Sequence, residues 1–476
     1  MNALLVRALG LGCAVAIAGC SLAPHYQRPG TPPPPATYKE AGDWKVSAPA
    51  DTGARGHWWM MFGDADLDAL EAALTDANQS LKAALARFEQ ARAQTRIARS
   101  DWFPTLTAQA NATRGEVSVY SQGYTPGQTR TGNSFVLSGD FSYEIDVFGR
   151  VRNTVAGARA NEQATAGDVA SLDLSLHAEL ATDYFMLRGL DIEQRFLDQT
   201  VFDYARALQL TENLYKGGAA AISDVQQAQA QLESARTQAE DTRLHRAQTE
   251  HAIAVLIGRE PADFSLPARA EDVFPSMPAI DAGIPSQLLE RRPDVAAAER
   301  RVAAANAGIG VARAAYFPVF DLFASAGAQS SSTATWLTAP AQFWSLGPQA
   351  LLTIFDGGLH AAQSAAAHAS YDEQVANYRN TVLTAYQDVE DNLAAIRQLQ
   401  RETVSQAAAA KATQGALDQA NLRYKGGIVT YLEVVSTQNA ALAARLTAAD
   451  IDIRRATATV QLVKALGGDW NPALAR

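Results

Sequence analysis

Apolar positions along this chain keep two periods, and the places where the period changes divide it into elements. From Asp66 onward, Leu67, Leu70, Leu74, Leu81, Leu85 and Phe88 step by threes, fours and one seven. That spacing predicts a helix over about 65–100, striped near the heptad period. Val169, Leu172, Leu176, Leu180, Leu187 and Leu190 mark a second helix over about 150–214, with no proline inside it. Tyr371, Val375, Tyr378, Val382, Val389, Leu393 and Ile396 repeat the theme over about 358–424. Alanine-rich stretches predict further helices at about 220–257, 293–316 and 430–466. A helix of 65 residues is about 98 Å long at 1.5 Å per residue. The two shorter helices of the first half, placed end to end, would span about 110 Å and match it. Helices of that length with sustained apolar stripes predict coiled-coil packing.

Between the helices the period drops to two. In Ser134–Asp146, Phe135, Leu137, Phe141, Tyr143 and Ile145 alternate with Ser134, Ser138, Asp140, Ser142 and Glu144. Leu106, Ala108 and Ala110 alternate likewise with polar neighbours, and the Gly/Ser/Thr-rich stretch Gly115–Gly132 reads as a hairpin loop. Phe320, Leu322, Ala324 and Ala326, then Leu346–Ile354, repeat the pattern. Strands are therefore expected within about 104–146 and about 318–355. Runs of about 12 residues are long enough for a tilted strand to cross a bilayer. Four strands cannot close a membrane barrel, which takes about eight or more, so the chain is expected to assemble with copies of itself.

The pattern occurs twice. Leu214-Tyr215-Lys216-Gly217-Gly218 is echoed by Arg423-Tyr424-Lys425-Gly426-Gly427, at an offset of 209 residues. Val225 meets Val434, Gln229 meets Gln438 and Gly258 meets Gly467 at the same offset. Ala98-Arg99 with Trp102-Phe103-Pro104 is echoed by Ala312-Arg313 with Tyr316-Phe317-Pro318. A period this long is not that of a solenoid module; it is a duplicated domain half. The copies are placed at 61–270 and 271–476, and the Arg291-Arg292-Pro293-Asp294 junction reads as the connector that starts the second helix set. Its arginines are expected to pair with helix-end carboxylates.

The N-terminus adds an address. Residues 1–19 carry Arg7, a short apolar run from Ala8 to Ile17 and the small residues Ala18-Gly19, then Cys20. This resembles a bacterial lipoprotein signal in which Cys20 is acylated, and Ser21 in place of aspartate favours the outer membrane. Residues 20–60 are Pro-rich, including Pro32-Pro33-Pro34-Pro35, and read as an extended, solvated tether. The remaining cysteine, Cys13, leaves with the signal, so no disulfide and no thiolate metal site is expected. With 50 Asp+Glu against 40 Lys+Arg the chain carries −10, and −11 once Arg7 is removed. That argues against a nucleic-acid partner and suits a water-filled path tolerant of cations. No apolar run after the signal reaches the ~18 residues of a membrane helix.

The residues after the Gly-Gly pairs have plain structural readings. Glycine just past a helix end is a C-cap. Thr430 and Glu433 make the spacing of a capping box, and Asp224 sits in a first helical turn where the dipole favours it. The seven histidines form no metal-binding or catalytic motif, and no phosphate loop or nucleophile elbow is present, so no enzyme activity and no cofactor is expected.

Taken in order, Trp58-Trp59 with Phe62-Gly63-Asp64 and Leu67, Tyr143–Arg150, Leu288–Val295, Ala303–Asn306 and Ile309–Ala314 resemble the TolC family of outer-membrane efflux factors, especially its lipoprotein branch. The resemblance covers nearly the whole mature chain. It implies a mainly α fold with a membrane β part. Three chains would give a 12-stranded β-barrel in the outer membrane and an α-helical tunnel in the periplasm. It further implies an exit channel of a tripartite efflux system, working with a periplasmic adaptor and an inner-membrane pump and passing small molecules outward. The turns at Tyr215, Lys216, Gly217, Gly218 and at Tyr424, Lys425, Gly426, Gly427 would be the adaptor-docking tips. Asp224, Leu432, Glu433 and Ser436 match the positions of the family's periplasmic gate. Ser436 departs from the aspartate common there, and Val429 from an arginine that ties some gates shut. A gate resting more on Leu432 packing and Glu433 than on ion pairs is therefore expected. A lipid-anchored periplasmic scaffold or adhesin without a pore is the alternative left open.

Overall fold

The computed structural model describes residues 21–31, 33, 37–41, 57–116, 118–120, 131–269, 274–275, 277–278 and 292–468. Seven α-helices and four strands are found among them: α1 Ala65–Ala77, α2 Gln79–Ser100, β1 Thr105–Glu116, β2 Thr131–Ile145, α3 Arg150–Lys216, α4 Ile222–Leu256, α5 Pro293–Ala314, β3 Val319–Ser330, β4 Gln342–Leu351, α6 Leu359–Lys425 and α7 Tyr431–Ala465. The copies match to the residue where it matters. Both long helices, α3 and α6, have 67 residues, and both following helices, α4 and α7, have 35.

The chain forms two compact units, and each takes parts of both copies. One holds Phe88–Thr165 with Ala298–Tyr378 and the N-terminal segment to Gly30; the other holds Thr31–Arg87, Ala166–Ala297 and the chain from Arg379 onward. In the first unit the strands form one antiparallel sheet in the order β1-β2-β3-β4. Among the described residues β1 pairs with β2 alone and β4 with β3 alone, so two edges are left unpaired there. Register carries the alternation across all four strands. Asp140 stands opposite Thr107 and Ser325, and Ser325 opposite Ser345. Phe141 stands opposite Leu106 and Ala324, and Ala324 opposite Leu346. One face is therefore polar and the other apolar. Phe148 stacks on Phe317 at 4.6 Å where strands give way to helices.

The N-terminal segment departs from the solvated tether expected of its composition. Residues 21–28 lie along the first unit's helices. Ser21 donates to Asn153 of α3 at 3.1 Å, Asn306 of α5 donates to the Pro24 carbonyl at 2.9 Å, and the Tyr26 hydroxyl bonds to Glu299. Arg28 donates to the Tyr378 hydroxyl at 2.9 Å while its guanidinium lies over that ring. Proline cost the segment none of this, because each bond uses a side chain or a carbonyl rather than the N–H that proline lacks.

In the second unit, apolar stripes close the hairpins as expected. Tyr204 of α3 packs on Leu232 and Ala235 of α4, and Leu399 of α6 on Ile451 and Ala458 of α7. The single helix expected over 65–100 is two. Asn78 takes an extended ψ of 125° and ends α1. Its Oδ1 accepts from Leu81 N at 2.9 Å, capping α2, while its Nδ2 donates to the Leu256 carbonyl at 2.8 Å. The break thus lets the C-terminus of α4 meet the N-terminus of α2 end to end. Asp64 anchors the start of α1. It accepts from Asp66 N, Leu67 N, the Tyr184 hydroxyl at 2.7 Å and both nitrogens of the Arg269 fork. Burial opposes its charge, yet the Arg269 and Tyr184 bonds hold the carboxyl below its ordinary range. Arg292 pairs with Asp294 in the first turn of α5 and with Asp388 in mid-α6, and also donates to the Ala465 carbonyl ending α7. The expected helix-end pairing is met by one carboxylate and one carbonyl; Arg291 lies outside the described residues.

Candidate functional site

The two Gly-Gly turns fold alike because each meets the same backbone demand. Gly218 and Gly427 take φ of 75° and 69°. Their N–H groups donate to the Tyr215 and Tyr424 carbonyls at 2.9 Å each. The next N–H in each turn reaches back to Leu214 O at 2.8 Å or Arg423 O at 2.9 Å. This six-to-one bond over a five-to-two bond is the Schellman cap, and it needs the left-handed residue at the second glycine. Gly217 and Gly426, the first of each pair, do not have positive φ.

The side chains around these like turns differ. Tyr215 is exposed, whereas Tyr424 is half-buried, its ring 5.4 Å from that of Tyr431. Tyr431 is 2% exposed and packs with Ala420, Val434, Val435 and Ala228 of α4. The residue at the same place in the first copy, Ile222, is 51% exposed. So the second turn is latched onto the end of the first hairpin by its own aromatic pair. Lys216, Lys425 and all four turn glycines are exposed.

The four candidate gate residues divide by face. Leu432, at 61% exposure, and Ser436 are one turn apart on the open face of α7, opposite the packed Tyr431, Val434 and Val435. Leu432 therefore leaves most of its surface uncovered within the protomer. Asp224 is half-buried at the start of α4 and accepts from the Ala221 N–H at 3.4 Å, as a first-turn carboxylate does. The capping box expected at Thr430 is absent. Thr430 begins α7 without a side-chain cap bond, and Glu433 turns away to pair with Arg423 at 2.6 Å. A guanidinium ten residues back outcompetes one backbone N–H for the carboxylate, since the charged bond is the stronger. An ion pair thus stands beside the turn after all, supplied by Arg423 rather than by position 429.

Sequence reasoning missed what lies between the hairpins here. A cleft of about 720 Å³ is lined by α3, α6 and α7. Tyr204 and Gln438 face it, 4% and 7% exposed, and neither Tyr204 Oη nor Gln438 Oε1 has a hydrogen-bond partner. Burial pushes the Tyr204 phenol up to about 12. Only the match of Gln438 with Gln229 at the repeat offset signalled it. His360 holds Asp356 at 2.6 Å, and no metal-holding group of side chains occurs among the described residues. Cys20, the expected lipid site, lies outside the described residues.

Comparison with known proteins agrees with this architecture. The family described as Outer membrane efflux protein matches residues 71–259 and 284–468. Outer membrane protein OprJ of Pseudomonas aeruginosa is 32% identical, covering 96% of this chain and 95% of OprJ. The solvent efflux pump outer membrane protein SrpC of Pseudomonas putida is 31% identical, covering 98% of each. The solved structure of the outer-membrane channel OprN superposes with a TM-score of 0.85 at 29% identity, covering 94% of this chain and 99% of that one. Fold, duplication and relatives agree that the chain belongs to the outer membrane efflux protein family, the TolC-type channels that form the outer-membrane component of efflux pumps.

Proposed function

We propose that this chain is the trimeric, lipid-anchored exit duct of a tripartite efflux system, passing small molecules from an inner-membrane pump and a periplasmic adaptor to the exterior. The observation that carries it is the sheet. Its strands run 10 to 15 residues, one face is apolar, and both edges, β1 and β4, are unpaired. In lipid each unpaired backbone group costs several kcal/mol, so such a sheet is stable only when its edges close on other copies. Three copies would supply the 12 strands the family resemblance implies. The docked N-terminal segment supports acylation at Cys20, since the next residue is held by Asn153 at the strand-side start of α3. The duct performs no chemistry and binds no cofactor beyond its lipid; its partners are the outer-membrane lipid, the adaptor and the pump.

At rest the periplasmic end is narrowed by Asp224, Leu432, Glu433 and Ser436 of the three chains. Leu432 and Ser436, open in the protomer, would meet their copies across the axis. The turns at Tyr215–Gly218 and Tyr424–Gly427 dock the adaptor, and opening follows when the hairpins shift. Single-channel currents in a planar bilayer test this, comparing wild type with Asp224→Asn/Glu433→Gln. Small wild-type steps whose size or cation preference changes in the variant support a gate at these carboxylates. Unaltered currents remove the carboxylates from the gate, and no current from intact trimers favours the poreless scaffold.

A further inference from the structure

Three rows of the sheet's polar face combine into something neither strand pattern nor family likeness describes. The middle row is Thr107, Asp140, Ser325 and Ser345. The row on one side is Thr105, Ser142, Phe323 and Gly347; the row on the other is Gln109, Ser138, Gly327 and Phe343. Rows two residues apart are separated by about 7 Å. Phe323 therefore stands one row and one strand from Asp140, and Phe343 one row to the other side and two strands away, on a face that is otherwise hydroxyl, amide and glycine at these levels. Both rings stand opposite a glycine. Phe323 lies over its own, Cζ being 3.4 Å from where a Cβ of Gly347 would stand.

The carboxylate is fixed. Ser325 donates to Asp140 Oδ1 at 2.6 Å and Ser138 to Oδ2 at 3.0 Å. Two hydroxyl bonds orient the group without neutralising it, and each oxygen keeps a free lone pair. No cation on these strands offsets it. The only basic residue among the described strand positions is Arg114, whose register puts it on the apolar face. Glu144, further along the same face, is already paired with Arg150.

We propose that this face carries a subsite for aromatic organic cations: Asp140 meets the positive charge, and Phe323 and Phe343 take the ring. It rests on the duct reading above, because the polar face lines the water path only in a closed barrel. An inorganic cation keeps its hydration shell and gains only the carboxylate's field. A cation bearing a phenyl group gains ring contacts as well, so the subsite prefers amphipathic solutes.

The test uses full-length protein in planar bilayers, with blocker added on the barrel side. Trimethylphenylammonium and tetramethylammonium carry the same charge and differ by the ring. Wild type should be half-blocked by the phenyl cation at a concentration about tenfold lower, the factor one aromatic contact supplies. Asp140→Asn should weaken both blockers. Phe323→Ser/Phe343→Ser should abolish the preference and leave tetramethylammonium unchanged, whereas Phe323→Leu/Phe343→Leu, a variant that keeps the apolar bulk, should hold part of it. Trimers that conduct yet show no preference in wild type, or keep it in the serine variant, overturn the subsite alone. Absence of wild-type current overturns the duct and the subsite together.

Discussion

Glu71 of α1 and His177 of α3 decide how firmly the first helix is held, and pH should reveal it. Glu71 is 0% exposed and its Oε2 lies 2.5 Å from His177 Nδ1. The imidazole stacks on Trp59 at 4.4 Å, and its Nε2 faces Asp173 at 3.5 Å and the Thr75 hydroxyl at 3.4 Å. Burial pushes the Glu71 carboxyl up to about 7, with His177 opposing and Asp173 and Asp68 adding. Burial disfavours charge on His177, but its bonds to Asp173 and Glu71 more than offset this and raise it to about 9. Both shifts have one sign: the folded pair holds protons that the unfolded chain has released. The His177 contribution is complete below about pH 6.5 and is lost as pH rises through about 9, a loss on the order of 3 kcal/mol. Glu71 carries the same trend to lower pH. His177→Phe keeps a ring on Trp59 but strands the buried carboxylate, and should cost about 3–5 kcal/mol at about pH 8. Near pH 5, where Glu71 is protonated, the stranded-carboxylate part of that cost should vanish and only the loss of the His177 contribution should remain. Glu71→Leu/His177→Phe removes both charges and should recover to within about 1 kcal/mol of wild type, with a flatter pH profile. Unfolding followed by far-UV circular dichroism at several pH values reads all three proteins. A wild-type stability that is flat or rising from about pH 6.5 to 9, or a double variant as weak as the single, would refute the reasoning.

Two more outcomes follow from the turns and the helix break. Gly218→Ala and Gly427→Ala should each cost about 1–2 kcal/mol, because a Cβ is disfavoured in the left-handed conformation, whereas Gly217→Ala should change stability by under about 0.5 kcal/mol; denaturant midpoints distinguish them. Asn78→Ala should cost about 2–3 kcal/mol by losing a cap and orphaning the buried Leu256 carbonyl, and Asn78→Asp should restore only the cap; hydrogen exchange at the start of α2 separates these two contributions.

The parts legible in the sequence were those that a local period encodes. Strand β2 could be read because Asp140 to Ile145 alternate strictly and Phe135 and Leu137 keep the same parity, and the paired hairpins because the Gly-Gly turns recur at one offset. What escaped depended on partners far away in the chain. The stripe from Leu67 to Phe88 runs straight through Asn78, and only the Leu256 carbonyl 178 residues on explains the break there. Thr430 and Glu433 have the right spacing for a box, but spacing does not disclose a competing Arg423. Glu71 sits between Leu70 and Leu74 on the apolar stripe, where its type argued for solvent and its position for burial. Proline-rich composition likewise hid a segment whose bonds are made by Ser21, Tyr26 and Arg28. At the candidate gate the two like turns were legible from the recurring Gly-Gly pairs, while the unequal packing of Ile222 and Tyr431 was not.

The unpaired edges of the sheet have a consequence for how such a molecule is made. A lone protomer offers the bilayer two rows of bare backbone, so for it insertion is uphill and remaining outside is the stable choice. Edge closure and insertion then become one event that requires three molecules at once, and its rate falls steeply as protomers become scarce. A cell making too little of the protein would accumulate uninserted chains for its periplasmic proteases, not one- or two-chain openings in its outer membrane. The barrier function of that membrane is thus guarded by hydrogen-bond arithmetic during biogenesis, before any gate exists to close.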